Sequence, residues 1–192
     1  MSLTVFNSVS LDGYFTDDNG DMRWAYEVPP DPEFDDFVAG NARGGAGSGG
    51  AIVFGRVTYE MMAGYWPTPE AAQAMPDVAA SMNKMTKYVF SRSLRAAQWQ
   101  NTRVVKGDVV KEVRRLKADA GDLVIMGSGS IVAPLVQAGL VDELQLVVTP
   151  VVLGAGRTMF EGAEGRHRWT LAKSRVFKNG KVSLTYQPAR AA

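Results

Sequence analysis

The stretch from Asp122 to Leu140, Asp-Leu-Val-Ile-Met-Gly-Ser-Gly-Ser-Ile-Val-Ala-Pro-Leu-Val-Gln-Ala-Gly-Leu, constrains the fold more than any other part of this chain. Leu123 to Met126 is a short apolar run rich in β-branched residues, which predicts a buried strand. The run stops at Gly127-Ser128-Gly129-Ser130 and gives way to a helical apolar stripe at Ile131, Leu135 and Val136. A small-residue turn lets a ligand reach the backbone, and the unpaired N–H groups and positive dipole end of the following helix favour an anion such as phosphate. The turn is neither a P-loop nor the Gly-x-Gly-x-x-Gly fingerprint. Val132 stands where the third glycine would be, and no Gly-Lys-Ser follows.

A chain of 192 residues, 46% of them hydrophobic, is large enough for one well-packed domain. Lys+Arg 21 against Asp+Glu 20 creates no strong field, so neither a nucleic-acid nor a membrane-surface partner is expected. With no cysteine, disulfides, thiolate nucleophiles and zinc–thiolate sites are excluded. His167 is the only histidine and is expected to be an ordinary loop residue, so no metal site is expected either. The start, Met1-Ser2-Leu3-Thr4-Val5, has no basic leader, and no apolar run approaches a membrane span; a cytoplasmic protein is expected.

Leu3 to Val9 alternates, with Leu3, Val5 and Asn7 on one face and Thr4, Phe6 and Ser8 on the other, as in a strand. A Gly/Asp/Asn loop is expected through Trp24, then a helix with Asp31 as N-cap, Pro32 at its first position and Phe34, Phe37 and Val38 facing inward. Residues 44–50, Gly-Gly-Ala-Gly-Ser-Gly-Gly, read as a flexible connection into a buried strand at Ala51 to Phe54. A helix opens at Gly55-Arg56-Val57-Thr58-Tyr59-Glu60, and strands follow at Tyr88 to Phe90 and Thr102 to Val105. Val109, Val113 and Leu116 form the stripe of another helix. Strands are expected at Leu144 to Val152, Thr170 to Phe177 and Val182 to Tyr186, the last two joined through Asn179-Gly180. Strand–helix alternation ending in a run of strands predicts an α/β fold with a mainly parallel sheet and an antiparallel edge.

Three strands end in turns that suit phosphate: Phe54 into Gly55-Arg56-x-Thr58, Phe90 into Ser91-Arg92, and Met126 into Gly127-Ser128-Gly129-Ser130. Ligands of open α/β sheets bind outside the strand carboxyl ends, so three such turns could hold the charged parts of a dinucleotide. Arginines there favour NADPH over NADH through charge-assisted bonds to the extra phosphate.

These turns, with Val141-Asp142-Glu143-Leu144, follow the order seen in the dihydrofolate reductase fold. Ser10-x-Asp12-Gly13 and Pro150-x-x-Leu153-Gly154-x-Gly156-x-x-x-Phe160 resemble its riboflavin-biosynthesis branch, the reductase domain of the bifunctional deaminase-reductase. The resemblance spans Leu3 to Tyr186. It implies a single α/β domain around roughly eight strands, mainly parallel with an antiparallel C-terminal edge and helices on both faces. It also implies NADPH at the strand carboxyl ends. Gly55, Arg56, Thr58, Ser91 and Arg92 would then lie on the adenosine 2′-phosphate side, and Gly127, Ser128, Gly129, Ser130 and Ile131 would hold the pyrophosphate. Ser10, Asp12 and Gly13 would lie near the nicotinamide and the substrate.

Hydride transfer from a bound cofactor asks the protein mainly to orient rings and relay a proton. Asp12 is the first candidate for that polar role. Glu33, four residues before Phe37 with Asp35 and Asp36 close by, is the second. Glu161 could face the substrate, and Trp24 and Trp66 could wall the cleft. The expected reaction is reduction of the riboflavin-pathway intermediate 5-amino-6-(5-phosphoribosylamino)uracil or a related pyrimidine. A pterin such as dihydrofolate is the main rival, and a non-catalytic NADPH-binding protein is the reading from a different class. No attached deaminase domain is expected, so the chain would reduce the riboflavin intermediate only as a stand-alone reductase, or act on something else. Its apolar final strands and an exposed edge suggest a homodimer.

Overall fold

The computed structural model describes residues 1–47, 50–119 and 121–189, with the backbone alone for residues 42–47. Ten strands and six α-helices follow one another as β1 (Leu3–Val9), β2 (Tyr14–Thr16), α1 (Pro32–Gly47), β3 (Ala51–Gly55), α2 (Arg56–Tyr65), α3 (Pro69–Ala74), α4 (Pro76–Lys84), β4 (Thr86–Phe90), β5 (Thr102–Val105), α5 (Val109–Asp119), β6 (Leu123–Met126), α6 (Gly129–Gln137), β7 (Glu143–Val148), β8 (Arg157–Thr158), β9 (Trp169–Val176) and β10 (Val182–Pro188). Eight strands form one sheet in the order β5-β4-β3-β6-β1-β7-β10-β9, and β2 and β8 form a separate ribbon. From β5 to β7 all pairings are parallel; β10 is antiparallel to both β7 and β9. The α/β class and the antiparallel edge are as the sequence predicts.

Burial explains the layering. In β1 the odd residues Leu3 and Val5 join the core formed with α5 and α6, through Val113, Leu116, Val132 and Leu135. β3 is buried along its whole length, as a central parallel strand must be. Its Ile52 and Phe54 pack into a second core with Tyr59 of α2, Val78 and Met82 of α4, and Trp99. Helices therefore cover both faces. The even residues of β1 point to this second face, beneath α1.

The chain leaves β5, crosses back through α5 and inserts β6 between β3 and β1. This aligns the carboxyl ends of β3, β4, β5 and β6 along one edge of the sheet, where ligands of such sheets bind.

Several boundaries differ from the sequence expectation. Helix α1 runs on to Gly47, so residues 44–47 of the glycine-rich stretch are helical rather than a connection; Ser48 and Gly49 lie outside the described residues. β7 stops at Val148, not Val152, because Thr149 donates its N–H to Val9 and the chain turns towards β2. Helices α3 and α4 begin with Pro69 and Pro76, and Thr68 caps the former. Asp31 does cap α1, accepting from the Glu33 N–H at 3.0 Å, and it also receives the Asn179 N–H of the β9–β10 turn at 3.1 Å. In that turn only Gly180 takes positive φ (84°), the three-residue form with a glycine bulge. No helix among the described residues is long and apolar enough to cross a membrane.

Candidate active site

The turns that follow β3, β4, β5 and β6 surround a cavity of about 810 Å³. Gly55, Arg56, Thr58, Ser91, Arg92, Ser128, Gly129, Ser130 and Ile131 all line it, so nine of the ten residues that the sequence picks for a cofactor share one wall. Gly127 lies just behind, lining a second cavity of about 450 Å³. Met22 and Thr58 line both, and there the cavities meet.

Three helices, α2, α5 and α6, start at the first cavity, and of these α2 and α6 have neither a side-chain cap nor an acidic residue in the first turn. By contrast α3 is capped by Thr68, α4 carries Asp77 in its first turn, and Asp108 receives a backbone N–H of α5. Uncapped N-termini leave N–H groups and positive dipole ends available to an anion. The side chains agree: Arg56, Arg92, Lys106 and Arg157 face Asp108 as the one acidic lining residue. Lys106 and Arg157 escaped sequence reasoning: each adjoins a single glycine, Gly107 or Gly156, and only the fold brings both to this cavity.

The β6–α6 turn is held tightly from below. Gly127 and Ser128 both take positive φ, 61° and 63°. Asn7 reaches from β1 like a short piece of backbone: its Oδ1 accepts the Gly127 N–H at 2.6 Å, and its Nδ2 donates to the Gly127 carbonyl at 3.2 Å and to Met159 Sδ at 2.7 Å. Ser128 Oγ accepts the Gly55 N–H at 2.8 Å and lies 3.1 Å from Thr58 Oγ1, welding the β3 and β6 turns together. A Cβ added at Gly127 would come within 2.8 Å of Thr58, and one at Gly129 within 3.1 Å of the Phe15 ring. Ser128 and Thr58 therefore shape the cradle from inside; Thr58 is buried and stands beneath the turn rather than out on the arginine side. Arg56 spans to Glu60 at 2.6 Å while staying half-exposed.

The residues picked for proton relay and substrate, Ser10, Asp12, Gly13, Glu33 and Glu161, do not reach the clefts. Asp12 accepts from Ser10 Oγ (2.6 Å), Gly154 N (2.7 Å) and Leu153 N (3.2 Å), and Ser10 Oγ in turn receives the Tyr14 N–H. These donors hold the Asp12 carboxyl down at about 2. Ser10, Asp12 and Gly13 thus form a latch for the 150–156 loop, outside both cavities. Beyond that latch Gly156 lies against β2, where a Cβ would fall 2.1 Å from the Thr16 carbonyl oxygen. Glu33 pairs with Arg175 of β9 at 2.6 Å, and the Phe34 and Phe37 beside it pack on Phe177. Glu161 and His167 are exposed loop residues, and neither lines the two cavities. Trp66 walls the second cavity, whereas Trp24 is core.

A mainly parallel sheet with an antiparallel edge and a cleft at its carboxyl ends defines a dihydrofolate reductase-like fold. The chain matches the family model described as the RibD C-terminal domain over residues 1–183, and it belongs to that family. Among curated proteins it is 29% identical over 180 residues to the uncharacterized protein YyaP of Bacillus subtilis, covering 93% of this chain and 90% of that one. Its fold is similar to that of a protein assigned to riboflavin biosynthesis from Shewanella sp. PV-4 (TM-score 0.76, 23% identity, 99% of this chain and 100% of that one). It is also similar to dihydrofolate reductase from Enterococcus faecalis complexed with NADP(H) (TM-score 0.64, 18% identity, 98% and 97%).

Proposed function

We propose that the protein is an NADPH-dependent reductase of the riboflavin-biosynthesis type, reducing a pyrimidine or pterin-like heterocycle in the cytoplasm. The observation that carries this reading is the pair of uncapped helix N-termini, α2 and α6, facing one cavity together with four basic side chains. The cradle fits a dinucleotide: Gly127 and Gly129 leave room where a Cβ would collide, and the N–H groups of the α6 turn suit a pyrophosphate. Arg56 and Arg92 suit an additional phosphate, with Lys106 and Arg157 adding positive charge.

When bound, the cofactor would supply the hydride. The chain's part is positioning. Met22 and Thr58 stand where the cavities meet, so the acceptor would lie in the second cavity with its reducible bond towards them. Neither residue has an acidic or basic side chain, and Asp12 is latched elsewhere, so the proton relay is assigned to no described side chain at this junction. Dimerisation is a separate part of the proposal, supported by edge strand β9, whose Leu171 and Val176 are exposed.

The test is turnover, followed by NADPH absorbance, with 5-amino-6-(5-phosphoribosylamino)uracil, its unphosphorylated riboside and dihydrofolate side by side. Oxidation with at least one is expected. NADPH binding without oxidation by any would favour a non-catalytic binding protein.

A further inference from the structure

We propose that the second cavity selects an acceptor without a phosphate group, and that Glu143 anchors its remote N–H edge. This rests on the reductase reading above and narrows it.

The two cavities differ sharply in charge. The first is lined by four basic residues and one acid. Among the described residues that line the second there is no Lys, Arg or His; its charged members are Asp122 and Glu143. Asp122 is committed to Ser2, accepting its N–H at 2.7 Å and its Oγ–H at 3.0 Å. Glu143 makes no hydrogen bond or ion pair among the described residues. Lys181 holds its ammonium 4.0 Å from the Phe34 ring centroid and 5.9 Å from that of Tyr26; Tyr26 lines the cavity and Lys181 does not.

A phosphate in this cavity would meet the Asp122 and Glu143 carboxylates, and no described cation lines it to offset the desolvation. A neutral amino-heterocycle meets the opposite situation. Glu143 and Gln145 share the sheet face of Thr4 and Phe6, their register partners; Gln145 Oε1 accepts from Asn41 Nδ2 at 3.2 Å, so the Glu143 carboxylate is the side chain that offers acceptor oxygens for ring N–H groups. Met62, Trp66, Met82 and Met126 give a polarisable apolar wall for the ring itself. Glu143 sits level with Thr4, four residues from Ser8, which lines the same cavity about 13 Å further along β1 at ~3.3 Å per residue. It is a positioning residue for the end remote from hydride transfer.

Equilibrium dialysis of the NADP⁺-loaded protein against 5-amino-6-(ribosylamino)uracil and its 5′-phosphate tests this. The unphosphorylated compound should bind at least about tenfold tighter, and Glu143→Gln should weaken it by about tenfold, with partial recovery in Glu143→Asp. Equal or tighter binding of the 5′-phosphate, binding of neither compound, or no effect of Glu143→Gln would each overturn the proposal. NADPH affinity, measured separately, reports whether the reductase reading itself fails.

Discussion

Asn7 and Gly127, 120 residues apart, exchange two hydrogen bonds, and this pair ties the central strand β1 to the turn at the candidate cofactor cleft. Asn7 is 2% exposed, so each bond is shielded from water. Replacing it with leucine keeps the volume but orphans both Gly127 groups. Asn7→Leu should lose about 1–3 kcal/mol in urea unfolding and weaken NADPH binding in parallel. Normal stability with normal NADPH binding would show that the turn keeps its shape unaided.

Asp12 separates a latch from a catalyst. Its carboxyl lies at about 2 against an ordinary 3.8, because Ser10 and the 153–154 backbone donate to the charged form. A depressed folded value means that the contribution is present above about 3.8 and is lost as pH falls towards 2. Asp12→Asn should therefore be less stable than the parent near neutral pH, with the difference vanishing through that acid window, while turnover persists. Loss of kcat at unchanged stability would return Asp12 to a catalytic role.

Lys87 provides a test in the alkaline range. It is fully buried, donates to the carbonyls of Met82 and Met85 at 2.7 Å each, and stands over the Trp99 ring. Burial lowers it from 10.5 to about 8. Between those values the unfolded chain holds the proton that the folded chain has released, so stability should rise with pH across the window. Lys87→Met should lack that slope. Parallel pH curves for parent and variant would contradict the depressed value.

The fold was largely legible because its signals are local. The alternation in Leu3–Val9, the Asp31-Pro32 start of α1 and the Asn179-Gly180 turn each act within a few residues. So do the three strand-end turns, which the crossover through α5 then brings to a common edge. What stayed hidden depends on long-range partners. Asn7 looks like one polar residue in a strand until Gly127 is placed beside it. Lys106 and Arg157 reach the cavity only because β5 ends and β8 begins there. Asp12 and Glu33 looked catalytic as isolated carboxylates, but their donors, Gly154 and Arg175, are more than a hundred residues away in sequence. Residues 44–47 read as linker from composition, yet continue α1.

The central claim is that the first cavity holds NADPH through its arginine-bearing turns. Titration calorimetry with NADPH and NADH, on the parent and on an Arg56→Ala/Arg92→Ala double variant, tests it most directly. The parent should prefer NADPH by at least about tenfold, and the variant should lose about ten- to a hundredfold of NADPH affinity while NADH binding changes less than about twofold. Unchanged NADPH affinity in the double variant, or no NADPH binding by the parent, would contradict the account.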